Sequence, residues 1–340
     1  MSRHVRNKLA EAQQVKRLLS KKWLLTLSSI FTLLIIFLMV GIQTGVIHGQ
    51  TIGALIRTPQ TKTTADATAI HHDTAASKTI TNNPKLTVTM KQQALQTSLQ
   101  KYLNQVGADG NVAVSFYNLT PEAGSTAANA NDAPIYAEGK LAANVNGADR
   151  RVAASTYKLF ISAYLFNQVA NGRTWTSADE TGFTEMIVDS ANDYSESQLA
   201  TYGADTLNAY YQQLGWGAVF SNADDTPAAT STNDLVALLK KLQAGTAPFN
   251  QDFYQEKLLT DMSTQVYRDG IPAAVASLTP DATVQDKVGW YEDYNNDAAI
   301  VTLPDGQRYL LAIMTKGVGY MDFSEIATIA QKVQQIVYGN

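Results

Sequence analysis

Apolar and polar positions divide the chain into three zones. An uncharged stretch runs from 23 to 47, WLLTLSSIFTLLIIFLMVGIQTGVI, 25 residues long. At a helical rise per residue of about 1.5 Å it crosses a hydrocarbon core of about 30 Å. Beyond it the pattern dissolves: Thr occurs nine times between 51 and 81, mixed with Ala, Asp and Lys and without an apolar period. That composition reads as a flexible linker over 48–85. From 86 onward periodicity returns. Positions 92–106 follow a helical period, 111–117 (NVAVSFY) alternate as a strand, and 134–137 predict a weaker strand. Positions 156–169 (TYKLFISAYLFNQV) are apolar on nearly every side, which predicts a buried helix, stopped by Asn171-Gly172. Helices follow at 184–190, 205–214 and 234–242, then strands at 283–290, 298–303 and 308–314, the last two joined by Asp305-Gly306. A helix over 323–337 closes the chain. Strands early and late with helices between them predict an α+β domain, its antiparallel sheet assembled from both chain ends around an inserted helical region.

Charge orients the first zone. Residues 1–22 hold seven Lys/Arg against one acid, Glu11. Arg17, Lys21 and Lys22 abut the apolar stretch and place its N-terminal side in the cytoplasm. The stretch is long for a signal peptide and shows no A-x-A cleavage pattern. The expectation is a cytoplasmic basic tail (1–22), an uncleaved transmembrane signal anchor (23–47) with the lipid bilayer as partner, the linker (48–85), and one extracytoplasmic domain (86–340). The protein would then be a single-pass cell-membrane protein. Beyond residue 22 there are 19 basic and 29 acidic residues, a balance that argues against a nucleic-acid partner.

Residue usage narrows the chemistry. There is no Cys, and the four His are His4, His48, His71 and His72. This excludes disulfides, a thiol nucleophile and Cys-ligated zinc, and, beyond residue 72, a Ser-His-Asp triad or an HExxH site. The His71-His72 pair reads as polar linker rather than a metal site. Neither GxxxxGK[ST] nor GxGxxG occurs, so no nucleotide, cofactor or metal is expected. Lys is left as the activator of a nucleophile. S-x-x-K occurs twice, at Ser98–Lys101 and Ser155–Lys158. Three residues apart, both side chains share one helix face. Ser98 lies in a Gln-rich, solvated helix. Ser155 sits where Ala153-Ala154 gives way to the most apolar helix, whose N-terminus favours an anion and, with burial, disfavours an ammonium. The plain alternative for Ser155 is a helix N-cap. Ser190-Ala191-Asn192 offers a hydroxyl and an amide, or simply a helix-ending loop. Ser231-Thr232-Asn233, the second S-x-N, reads as an N-cap. Lys287-Val288-Gly289 places a cation for a carboxylate and a Gly for close backbone approach on one strand, unless Lys287 is an ordinary edge lysine. Asn118-Leu119-Thr120 matches a glycosylation sequon by pattern alone.

Ser155-x-x-Lys158, Ser190-x-Asn192 and Lys287-x-Gly289, in that order, resemble the motifs of the active-site-serine penicillin-recognising enzymes. The flanks RVAASTYKLFISAYLF, EMIVDSAND, TSTNDLVALLKKLQAG, RDGIPAAV and DKVGWYEDYNNDAAIV are most similar to class A β-lactamases, and the likeness covers 86–340. The resemblance implies a β-lactamase/transpeptidase-like fold. It implies Ser155 as acylated nucleophile, Lys158 as its base or part of a relay, and Ser190 as proton donor to the leaving nitrogen. It implies Asn192 and Lys287 as holders of substrate amide and carboxylate, and backbone N–H groups of Ser155 and of Trp290, after Gly289, as an oxyanion hole. Three departures stand out. The segment between Ser155 and Ser190 is short for the family. Val288 and Ala191 replace Thr and Asp of the motifs. The loop 221–230 (SNADDTPAAT) holds no Glu to activate a deacylating water; Asp224 and Asp225 are the carboxylates there. The expectation is a serine hydrolase acylated by a β-lactam or a peptidoglycan D-alanyl stem peptide, with poor deacylation. The alternative is a catalytically degenerate module that binds wall peptide.

Overall fold

The computed structural model describes residues 84–223 and 225–339. The basic tail, the stretch 23–47, the linker up to 83, His71-His72 and Asp224 lie outside the described residues. Among the described residues no helix is long and apolar enough to cross a membrane.

Five strands, β1 (Val112–Leu119), β2 (Ala142–Val145), β5 (Thr283–Tyr291), β6 (Tyr294–Thr302) and β7 (Arg308–Lys316), form one sheet in the order β2-β1-β7-β6-β5. Every neighbouring pair is antiparallel. The first strand of the domain thus pairs with the last, as the sequence predicts. A separate two-stranded ladder joins β3 (Arg151–Val152) to β4 (Ala229–Thr230). Both faces of the main sheet are covered, so β7 is apolar without alternation: Tyr309, Leu311 and Ile313 enter one core, and Leu310, Ala312 and Met314 the other. The first core is closed by α1 (Pro84–Val106), α8 (Ile271–Leu278) and α9 (Ser324–Tyr338). The second holds α2 (Lys158–Ala170), α3 (Ser177–Val188), α4 (Asp193–Tyr202), α5 (Ala204–Gln213), α6 (Thr232–Gln243) and α7 (Asp252–Ser263). In α2 the nine residues Lys158 to Phe166 are all buried, which explains its lack of a polar face.

Local chemistry sets several boundaries. Thr176 and Asp179 close a capping box on α3. Ser231 accepts the Asp234 N–H at 3.1 Å and caps α6, as expected for this second S-x-N. The predicted strand at 134–137 is instead a 3-10 turn, Ala133–Tyr136; Pro134 has no N–H for a ladder. The edge strand is β2, and α1 lies along it. Gln92, Gln96 and Gln100 donate from Nε2 to the carbonyls of Lys140, Ala142 and Asn144 at 3.2, 2.7 and 2.8 Å. Four helical residues rise about 6 Å and two strand residues about 6.6 Å, so the two repeats match. Asn118 is fully buried and its amide donates to the carbonyls of Tyr136 and Ala137, so the fold closes the sequon.

Candidate active site

The chain enters the site through β3 and a 3-10 turn, Ala154–Tyr157, that runs into α2. Ala154 takes φ +44, a left-handed backbone that only a tightly held turn sustains in a residue with a Cβ. Two elements hold it. The Ala153 N–H donates to the Ala228 carbonyl at 2.7 Å. Asn296 on β6 donates to the carbonyls of Val152 and Ala153 at 2.9 and 3.0 Å. Ser155 is therefore presented half-exposed at the mouth of the helix, with α2 starting at Lys158 rather than at Thr156.

Lys158 is fully buried beside it. Its Nζ donates to Ser155 Oγ at 2.9 Å, to the Ser190 carbonyl at 2.6 Å and to Asn192 Oδ1 at 2.8 Å. Burial pulls its pKa down to about 8, partly offset by the carboxylate of Glu196. A neutral fraction is thus available near neutral pH to accept the Ser155 proton. Ser190 follows α3 with φ +57, which turns its hydroxyl toward β5. There Lys287, also fully buried, donates to Ser190 Oγ at 2.9 Å, to Gln265 Oε1 at 2.7 Å and to the Val288 carbonyl at 3.1 Å. Burial, and secondarily the charge of Lys158, lowers Lys287 to about 7. All three of its N–H groups are engaged, so an incoming carboxylate must displace one or bind through the Ser190 hydroxyl.

β5 aligns with the nucleophile turn by backbone contact. A Cβ added to Gly289 would lie 2.6 Å from the Ser155 nitrogen and 2.9 Å from that of Thr156, so only Gly fits here. The Val288 N–H is taken by Gln265 Oε1 at 3.2 Å rather than by β6. Alternate residues share an edge, so the Trp290 N–H also faces the open edge of β5. The Val288 side chain is fully buried in the α8–α9 core. It offers the cleft only backbone, which gives the Thr-to-Val departure a packing reason.

The structure thus gathers Ser155, Lys158, Ser190, Asn192, Lys287, Gly289 and Trp290. The competing Ser98–Lys101 pair is exposed on α1. Asp225 is exposed with φ +58. Among the described residues no cluster of His, Asp or Glu could hold a metal. Three contributors escaped the sequence reading. Gln265 bridges Lys287 and Asp286, to which it donates at 2.6 Å; no pattern marks it, because a loop brings it to the β5 edge. Asn296 has only its strand parity as a signal. Glu196 lies one helical turn after Asn192, its N–H bonded to the Asn192 carbonyl at 2.9 Å, and that i, i+4 spacing could have found it.

The model of the Beta-lactamase enzyme family matches residues 180–340, which includes Ser190-x-Asn192 and Lys287-x-Gly289 but begins after Ser155 and Lys158. No curated protein matches the chain in sequence. Among solved structures, PBP-A superposes with a TM-score of 0.54 at 23% identity, over 72% of this chain and 94% of that one. A mutant of PBP-A, solved as an acyl-enzyme complex with penicillin G, gives 0.55 at 23%, over 72% and 95%. A representative of class A β-lactamase from Bacteroides cellulosilyticus gives 0.53 at 18%, over 72% and 98%. Residues 84–339 therefore carry the fold of PBP-A and the class A β-lactamases.

Proposed function

We propose that the chain is a penicillin-interacting serine hydrolase of the β-lactamase-like family, acylated at Ser155 by a β-lactam or a D-alanyl wall peptide. The observation that carries this is the buried Lys158 ammonium, at 2.9 Å from Ser155 Oγ and lowered to about 8. In the neutral form Lys158 takes the Ser155 proton as Oγ bonds to the substrate carbonyl carbon. The oxyanion forms between the N–H groups of Ser155 and Trp290. As the C–N bond breaks, Ser190 gives its proton to the nitrogen and recovers one from the lysine pair around it. Asn192, its Oδ1 held by Lys158, leaves its NH₂ to the substrate amide. Loop 221–230 brings no Glu, so the ester hydrolyses slowly. The stretch 23–47 anchors this domain outside the cytoplasm.

Intact mass after incubation with penicillin G tests the reading. A stable adduct on the wild type, absent from Ser155→Ala, is the expected result. Drug loss without an adduct would point to efficient deacylation. Neither adduct nor drug loss would favour the degenerate binding module.

A further inference from the structure

A cavity of about 600 Å³ opens at β3, just upstream of Ser155. Arg150 and Arg151 line it, with Thr226 before β4, Tyr294 at the start of β6 and Lys316 at the end of β7. Asp149 is the one acid on its wall among the described residues. This is a concentration of positive charge on a body with 29 acidic and 19 basic residues beyond residue 22.

Arg151 is the unusual member. Its side chain is only 9% exposed, and its closest ion-pair partner, Asp149, stands 3.8 Å away and is 61% exposed. Nη1 and Nη2 donate to the carbonyls of Asn111 and Gly110 at 2.6 and 2.7 Å. The Nε–H is buried and has no partner. A buried cation with an unmatched donor is costly, and an anion placed against it offsets that cost. Lys316 lies 5.4 Å over the Tyr294 ring, and no carboxylate among the described residues pairs with it. Among the described residues, none of these side chains is hydrogen-bonded or ion-paired to Ser155, Lys158, Ser190 or Lys287.

We propose that this cavity is a second binding site that takes a carboxylate of an acidic peptide, held by the Lys316 ammonium and drawn in by the charge of the Arg151 guanidinium in the cavity wall. Asp149 on the same wall disfavours a dianion, so a carboxylate fits better than a phosphate. Val152 also lines the cavity, and the three residues from there to Ser155 span at most about 11 Å. A peptide engaged at Ser155 can therefore reach the cavity with a carboxylate a few residues away. That link to substrate rests on the acylation reading; binding at the cavity does not.

The test is calorimetric titration of the full-length Ser155→Ala protein with acetyl-Glu-Ala-amide and its neutral twin acetyl-Gln-Ala-amide. The Glu peptide should bind about tenfold or more tightly than its twin, as for one charged hydrogen bond. Lys316→Gln should weaken it by a similar factor, and Lys287→Gln should leave it unchanged. Arg151→Met, which removes the charge and keeps much of the side chain's length, should weaken it too while the protein still melts cooperatively. Equal affinity for the twins, no binding, or loss through Lys287→Gln instead of Lys316→Gln overturns the proposal. Tighter binding of inorganic phosphate than of the Glu peptide overturns the carboxylate assignment. With Ser155 intact, Lys316→Gln should still form the penicillin adduct; loss of acylation in the wild type would sink the catalytic reading and leave the titration standing.

Discussion

At the scale of the residue, the two buried lysines set the pH behaviour. The proposed acylation needs Lys158 neutral and Lys287 charged. Their values of about 8 and about 7 are displaced mainly by burial, and Lys158 further lowers Lys287, so they titrate as a pair. The second-order rate of acylation should trace a bell between roughly those limits, measured by adduct formation against pH. Glu196 raises Lys158, so Glu196→Gln should move the rising limb to lower pH. Gly289 gives a sharper test. With 2.6 Å between its virtual Cβ and the Ser155 nitrogen, Gly289→Ala must push β5 off the nucleophile turn. A loss of about 10²–10³ in acylation rate is expected, as for a lost oxyanion donor, together with a lower melting temperature, since the clash is with backbone. Ser155, Lys158, Ser190, Asn192, Lys287 and Gly289 could be singled out because they stand in three ordered motifs that resemble those of a known family, and Trp290 only as the residue after Gly289. Gln265 and Asn296 could not, since any residue with one acceptor or donor would serve and only the folded chain shows where it is needed.

At the scale of the element, two covered faces make β7 and the second half of β6 apolar without a break, which made them legible; Asn295, Asn296 and Asp297 are buried polar residues that hid the start of β6. Helix α8, IPAAVASL, has eight residues and no polar face, so its period is invisible. Helix α1 starts at Pro84, eight residues before the predicted 92, because Leu86, Val88 and Met90 alternate with Lys and Thr, a period of two that gives no helical signal. The reason for its glutamines is tertiary: three of them cover the outer edge of β2. Replacing Gln96 and Gln100 by Ala should cost about 0.5–1.5 kcal/mol for each lost hydrogen bond, by chemical denaturation. It should also raise self-association on size exclusion, since an uncovered edge strand recruits another.

At the scale of the whole molecule, stability depends on pH through groups buried beneath the sheet. Asp297 is fully buried, with one oxygen bonded to the Ile271 N–H at 2.8 Å and the other unpartnered. Burial holds it up at about 6 and raises Asp286 as well. Between about 4, the ordinary Asp value, and that value the folded chain binds a proton that the unfolded chain has lost. The stability from these carboxyls therefore falls as pH rises through the window. Melting temperature should drop between pH 4.5 and 6.5, and Asp297→Asn should flatten the drop. Lys287 works the other way: lowered in the fold, it lets stability climb as pH rises from about 7 toward the usual lysine range.

The glutamine ladder has a consequence beyond stability. A sheet has two margins where a foreign strand can dock, and here α1 occupies one of them, leaving its carbonyls already answered. At the opposite margin, β5 turns its Trp290 N–H outward beside Ser155. Under the proposed reading, an extended peptide would find one blind border and one reading border, and the reading border passes Ser155.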